Sequence, residues 1–265
     1  MLKRTISGFV LSVIFVGALL LNKVTPIITV SFFCIVSAIA VYEMLYNTHI
    51  IKRKFIVVCC MVYSVAACAL YCFKIDNVYY ITVLHILLTA AFSLAFHREN
   101  DYTRIAAMLS FPLVLPFGFA CIYNLFNIYG IAYILFALNF SSVCDVGAYL
   151  VGSAFGKHKM CPEISPKKTV EGAVGGIVSS MLITVVIVAI FSIWQDLIKL
   201  LIITPFMCGI GMMGDLFASV IKRSVGIKDY GILIPGHGGI MDRFDSILLI
   251  APAFIMLLHL AEVIV

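Results

Sequence analysis

Hydrophobic positions in this chain of 265 residues come in long continuous runs, not in the alternating or three-to-four spacing of soluble strands and helices. Nine runs lie near residues 5–22, 25–47, 55–73, 77–96, 104–124, 129–152, 170–194, 197–221 and 244–264. Each is close to the roughly 20 residues a helix needs to cross a hydrocarbon core. A β-barrel would alternate apolar and polar positions within each strand. The pattern therefore predicts an all-α, polytopic membrane protein with about nine transmembrane helices. Composition agrees, with 63% of residues hydrophobic and 12% charged, far more apolar surface than a soluble domain of this length needs.

The polar residues between the runs set an orientation. With the N-terminus cytoplasmic, the inside segments carry Lys3, Arg4, Lys52, Arg53, Lys54, Arg98, Arg104, Lys157, Lys159, Lys167, Lys168, Lys222, Arg223, Lys228 and Arg243. The outside segments carry only Lys23, Lys74 and Lys199. That is 15 against 3 of the 18 basic residues, the asymmetry expected of cytoplasmic loops. It predicts a multi-pass protein of the cell (cytoplasmic) membrane, with the polar loops 153–169 and 222–243 both facing the cytoplasm. The net charge of +5 is accounted for by these short loops and by anionic substrates, so nucleic acid is not expected as a partner. The nine cysteines show no CxxC pair and no zinc spacing with histidine, and read as small hydrophobes. The apolar run after Met1-Leu2-Lys3-Arg4 lacks a clean small-residue cleavage site and reads as a retained first span, not a signal peptide.

Chemistry is unevenly distributed. Residues 1–128 read as a transmembrane scaffold and 129–265 as the catalytic region. In the first part, Glu43, followed by Tyr46 and Asn47 near the end of a span, leaves two readings open, a site residue or, the preferred one, a group that snorkels or pairs locally, and His85 reads as a satisfied core histidine. In the second part, Ser141, Asp145, Tyr149 and Gly152 share one helical face. A basic, hydroxyl-bearing segment, Ser165-Pro166-Lys167-Lys168-Thr169, then opens a helix, which suits phosphate. Gly211, Asp215, Ser219 and Lys222 also share a face, and the glycines there permit close packing or a break. The longest polar run, Ser219 to Asp245, interleaves Lys222, Arg223, Lys228 and Arg243 with Asp229, Asp242 and Asp245. The cations suit phosphate oxygens. Pro235-Gly236-His237-Gly238-Gly239 offers backbone N–H groups to an anion. The aspartates are the hard donors Mg²⁺ prefers. A plain cytoplasmic loop would explain the basic residues, but not the three aspartates or the glycine cluster.

This stretch resembles the signature of the phosphatidate cytidylyltransferases, membrane enzymes that make CDP-diacylglycerol. The pattern positions are Ser219, Lys222, Arg223, Lys228, Asp229, Gly231, Pro235, His237, Gly238, Gly239, Asp242, Arg243 and Asp245, over 27 residues without a gap. It extends upstream to Asp145, Ala148, Tyr149, Gly152, Phe155, Gly156, Lys157, Ser165, Pro166, Lys167, Lys168, Thr169, Glu171 and Gly172. The similarity thus covers roughly residues 140–250. One departure is Ala218, where many members carry an acidic residue, so no essential carboxylate is expected there.

The resemblance implies a cytidylyl transfer from CTP to phosphatidate at the bilayer edge, with Mg²⁺ as cofactor. It implies catalytic roles for Asp215, Asp242, Lys222, Arg223 and Lys167. Substrate binding falls to Asp145, Ser165, Lys168, Thr169, Ser219, Lys228, His237, Gly238, Gly239 and Arg243. The metal falls to Asp215 and Asp242, with Asp229 and Asp245 as ligands or orienters of the cations. A second, monovalent cation and a homodimer are left open. So are transfer onto another lipid phosphate and a transporter using Asp145, Asp215 and Asp242 for ion coupling, although the paired halves common in transporters are absent from the sequence.

Overall fold

The computed structural model describes residues 2–99, 101–234 and 238–264. A backbone in hydrocarbon must satisfy its own N–H and C=O groups, so the apolar runs become helices. In chain order they are α1 (Leu2–Leu21), α2 (Pro26–Tyr42), α3 (Lys54–Cys72), α4 (Val78–Ala95), α5 (Tyr102–Tyr129), α6 (Ile131–Leu138), α7 (Cys144–Phe155), α8 (Val170–Phe191), α9 (Leu197–Ser224), α10 (Met241–Phe244) and α11 (Ile247–Ile264). Among the described residues, eight continuous helical segments are long and apolar enough to cross a membrane: Pro26–Asn47, Lys54–Cys72, Val78–Ala95, Tyr102–Tyr129, Ile131–Phe155, Val170–Phe191, Trp194–Ser224 and Met241–Leu260. The chain is a multi-pass helical membrane protein. α1 adds a further helix of 20 residues.

Local structure departs from the apolar pattern in three places. α2 continues into a π-helical turn, Glu43–Asn47, and a second π-turn, Asn139–Val143, joins α6 to α7. Such wide turns are rare and gather at functional sites. α7 runs on to Phe155, and the segment after it forms an antiparallel hairpin of β1 (Lys159–Cys161) and β2 (Ser165–Thr169), pairing Lys159 with Thr169 and Cys161 with Ser165. α9 is unbroken through Gly209, Gly211 and Gly214.

The chain forms two compact units. The first comprises Met1–Asn124 and Ser224–Phe244, the second Leu125–Arg223 and Asp245–Val265. In the first, Phe33 meets Phe15 and Tyr123 edge-on at ring separations of 6.3 and 6.1 Å, and Phe119 meets Phe244 at 5.3 Å. Buried hydroxyls tie the helices together: Thr29 donates to the Ala18 carbonyl at 2.6 Å, and Ser37 and Ser64 share a hydrogen bond of 2.7 Å. His85 is a satisfied core histidine, stacked on Tyr63 at 4.2 Å with Nε2 3.0 Å from the Met108 carbonyl. In the second unit α7 and α8 lie almost backbone to backbone. A Cβ on Gly176 would stand 2.5 Å from the Cys144 carbonyl, and one on Gly172 2.6 Å from that of Ala148. Asn139 donates to the Ser180 carbonyl and to Thr184 Oγ1 at 3.0 and 3.1 Å, and Thr184 in turn meets Thr204 of α9 at 3.1 Å. All nine cysteines are unpaired and seven are buried, in keeping with a packing role.

Candidate functional site

The second unit holds a cavity of about 250 Å³ whose polar lining is Asp145, Ser165, Lys167, Lys168, Thr169 and Asp215, with Tyr149 beside them. Each group arrives there for a local reason. Asp145 opens α7, and Tyr149 follows it one turn later on the same face. β2 delivers Ser165, Lys167 and Lys168. Thr169 ends the strand and caps α8: its backbone is extended, at φ −125° and ψ 154°, and Oγ1 accepts the Gly172 N–H at 3.1 Å. That bond satisfies one of the orphan donors at a helix start. Glu171 anchors the other arm of the hairpin, accepting the N–H groups of Lys157 and His158 and standing 2.6 Å from His158 Nδ1. The hairpin is therefore fastened at its root, which leaves its lysines facing the cavity.

Asp215 comes from the middle of α9 and forms an ion pair with Lys168, Nζ to Oδ2 at 2.5 Å. The two side chains are 23% and 29% exposed, a setting where neither charge would be well solvated alone. Two carboxylates, Asp145 and Asp215, balance two lysines, Lys167 and Lys168, in the lining. Among the described residues no three or more His, Cys, Asp or Glu side chains are grouped to hold a metal ion. The donor set still fits Mg²⁺, which binds through one or two carboxylates and completes its shell with water and substrate phosphate. Further along α9, Ser219 is half-buried, Lys222 is buried and Arg223 is exposed. Asp245 accepts the Ser246 N–H at 2.8 Å at the start of α11.

The remaining expected residues belong to the polar loop of the first unit. Asp242 Oδ2 accepts the N–H groups of Tyr230 and Gly239 at 2.8 and 2.9 Å. A Cβ on Gly238 would lie 2.7 Å from that same oxygen and 3.4 Å from Asp229 Cβ. Lys228, Asp229 and Arg243 are exposed. Pro235, Gly236 and His237 lie outside the described residues. Glu43 does not follow the preferred sequence reading of a snorkelling or locally paired group: its carboxylate is 2% exposed and accepts the N–H groups of Ile240 and Met241. The one sequence hint was the Glu43–Asn47 spacing at a span end; nothing in it pointed to residue 240.

Comparison with known proteins bears on these residues. The model of the cytidylyltransferase family matches residues 2–261. The phosphatidate cytidylyltransferase of Bacillus subtilis (strain 168) is 46% identical over 132 residues, covering 50% of this chain and 49% of its own length. That of Staphylococcus saprophyticus is 46% identical over 129 residues, 49% of this chain and 50% of the relative. That of Staphylococcus aureus (strain COL) is 42% identical over 129 residues, with the same coverage. In these alignments the chain spans about half the length of the curated relatives it matches.

Proposed function

The chain belongs to the cytidylyltransferase family, and from that premise we propose that it transfers the cytidylyl group of CTP to phosphatidate, giving CDP-diacylglycerol and pyrophosphate for phospholipid synthesis. The observation that carries the reading is the cavity in which β2 sets Lys167 and Lys168 against Asp215 and Asp145. The names of the relatives supply the acceptor.

In the proposed reaction a phosphate oxygen of phosphatidate attacks the α-phosphorus of CTP. A new P–O bond forms, the α–β phosphoanhydride breaks, and its electron pair leaves on pyrophosphate. Phosphate is already a competent nucleophile, so the chain's task is alignment and charge neutralisation. Lys167 and Lys168 bind phosphate oxygens, with Lys168 exchanging Asp215 for its substrate. Ser165 and Thr169 orient the oxygens from the capped start of α8, whose dipole favours anions. Lys222, Arg223, Lys228 and Arg243 draw the two anionic reactants to the bilayer edge, and Ser219, His237, Gly238 and Gly239 contribute to substrate binding. Asp215 and Asp242 would hold Mg²⁺, with Asp229 and Asp245 orienting cations or adding ligands. When bound, the ion supplies charge screening of the nucleotide phosphates.

The same reading takes the chain across the membrane nine times, with α1 as the first span and the polar loops on the cytoplasmic side. The distribution of basic residues supports it. The decisive assay uses the full chain in detergent micelles with CTP, dioleoyl phosphatidate and Mg²⁺. Equal yields of pyrophosphate and CDP-diacylglycerol, lost on addition of EDTA, are expected. Folded protein that turns over no lipid phosphate would overturn the proposal; turnover of a different lipid phosphate alone would change the acceptor and keep the chemistry.

A further inference from the structure

Glu43 has no part in the reaction as written, yet it is a carboxylate 2% exposed at the end of an apolar helix. A charge in such a place is costly unless it is fully bonded. Both of its oxygens are used. Oε1 accepts the Ile240 N–H at 3.0 Å and Oε2 the Met241 N–H at 2.9 Å, residues 197 and 198 positions further along the chain. Four residues on, Asn47 donates Nδ2 to the Tyr230 carbonyl at 3.0 Å. Both side chains stand on the π-turn that ends α2.

These bonds hold the two arms of the polar loop separately. Asn47 grips the arm at Tyr230, and Glu43 grips the arm at Ile240 and Met241. Asp242 bridges the arms, because its Oδ2 accepts from Tyr230 on one and Gly239 on the other. Two signature glycines carry the imprint of the same carboxylate. A Cβ at Gly231 would stand 2.7 Å from Glu43 Oε1, and a Cβ at Gly239 would run into the Glu43 carboxylate itself. A side chain at either position would have to push the Glu43 carboxylate, a residue nearly two hundred positions away, off its hydrogen bonds, a constraint independent of any phosphate.

We propose that the π-turn Glu43–Asn47 is a clamp that fastens both arms of the polar loop and so aims the Asp242 carboxylate, which makes Glu43 a positioning residue for Asp242. The inference rests on the reading of Asp242 as a metal ligand given above. Glutamate suits the task because a carboxylate accepts two N–H bonds at once. Glutamine keeps one and sets its own N–H₂ against the second donor; alanine keeps neither.

The test uses the full chain in detergent, as wild type, Glu43→Gln, Glu43→Ala and Asn47→Ala. Amide hydrogen exchange over residues 229–244 is followed by mass spectrometry without substrate. Turnover of CTP is then measured against Mg²⁺ concentration. Glu43→Ala should speed exchange at Ile240 and Met241 by at least roughly tenfold while α8 is unchanged. The Mg²⁺ concentration for half-maximal turnover should rise by about 10–100-fold, the usual cost of losing a group that orients a metal ligand. A merely structural defect would lower the active fraction and leave that concentration where it was. Gly239→Ala should be damaging in the wild-type background and at least about tenfold less so beside Glu43→Ala, where the carboxylate no longer blocks the new methyl. Should Glu43→Ala not fold, the near-isosteric Glu43→Gln and the separate Asn47→Ala carry the same measurements. Unchanged exchange overturns the clamp, whatever the activity. A loosened loop with wild-type Mg²⁺ dependence overturns the positioning role. If wild type itself turns over no lipid phosphate, the proposed activity is what fails, and the exchange data still decide the clamp.

Discussion

Lys168 and Asp215 illustrate how much of the proposed chemistry depends on single groups. They form an ion pair 2.5 Å long, and each is only about a quarter exposed. Replacing Asp215 with Asn keeps the shape and removes the charge, so Lys168 is left without its counter-ion. Removing one partner from a fully buried pair costs about 3–5 kcal/mol, and water at this rim reduces the figure to about 1–2 kcal/mol. That loss leaves the protein folded. Turnover should fall much further, by more than the roughly 10–100-fold typical of outer partners of a metal site. Asp242→Asn should behave likewise, because the amide nitrogen weakens both the proposed metal ligation and the grip on Tyr230 and Gly239. Steady-state kinetics beside a thermal melt in detergent checks both. Wild-type turnover in both variants would remove them as metal ligands. Ala218, one turn beyond Asp215, is buried at 2% exposure.

At the scale of elements, the contact of α7 with α8 and the root of the hairpin position the cavity, and each makes a prediction. Gly176→Val would place atoms against the Cys144 carbonyl, which stands 2.5 Å from the nearest added carbon. Overpacking of this kind costs about 1–3 kcal/mol, so the variant should melt earlier and lose turnover together. Thr169→Ala removes the cap on α8 at a cost of about 1 kcal/mol, and Thr169→Ser should restore most of it. A melt of the two variants side by side checks this; equal losses would show that the methyl, not the hydroxyl, matters. These elements also mark the limit of what was legible in the chain. Long apolar runs announced the helices because a helix satisfies its own backbone in lipid, and the other solution, a closed β-barrel, would alternate apolar and polar positions. The motif residues Asp145, Ser165, Lys167, Lys168, Thr169 and Asp215 were legible as a polar set, and they do share one cavity. The hairpin was not legible. Ser165-Pro166-Lys167-Lys168-Thr169 has neither alternation nor apolar residues, and its strand form depends on pairing with β1 and on Glu171 gripping His158. The distant partners of Glu43 were not legible for a related reason: they are backbone N–H groups, which carry no signature in the sequence.

For the molecule as a whole, the question with the sharpest answer is the number of crossings. Eight described segments qualify by length and composition, and α1 supplies the proposed ninth. An odd number of crossings puts residues 1 and 265 on opposite faces of the membrane; an even number puts them on the same face. Reporters that work on only one face, fused at either position, distinguish the two directly. Opposite faces, with residue 1 inside, is the expected outcome. If both report the same face, α1 does not cross. Lys3, Arg4 and Lys23 would then lie outside, and the basic residues would divide 13 against 5 instead of 15 against 3. The positive-inside bias would weaken but keep its sign. Residues 156–169 and 225–240 would still share a face, because the two crossings between them, Val170–Phe191 and Trp194–Ser224, do not depend on α1. The proposal that both polar segments meet a soluble nucleotide on the cytoplasmic side therefore survives either count. It fails if impermeant labels at Lys157 and Lys228 react from opposite faces, or if both react from the outer face.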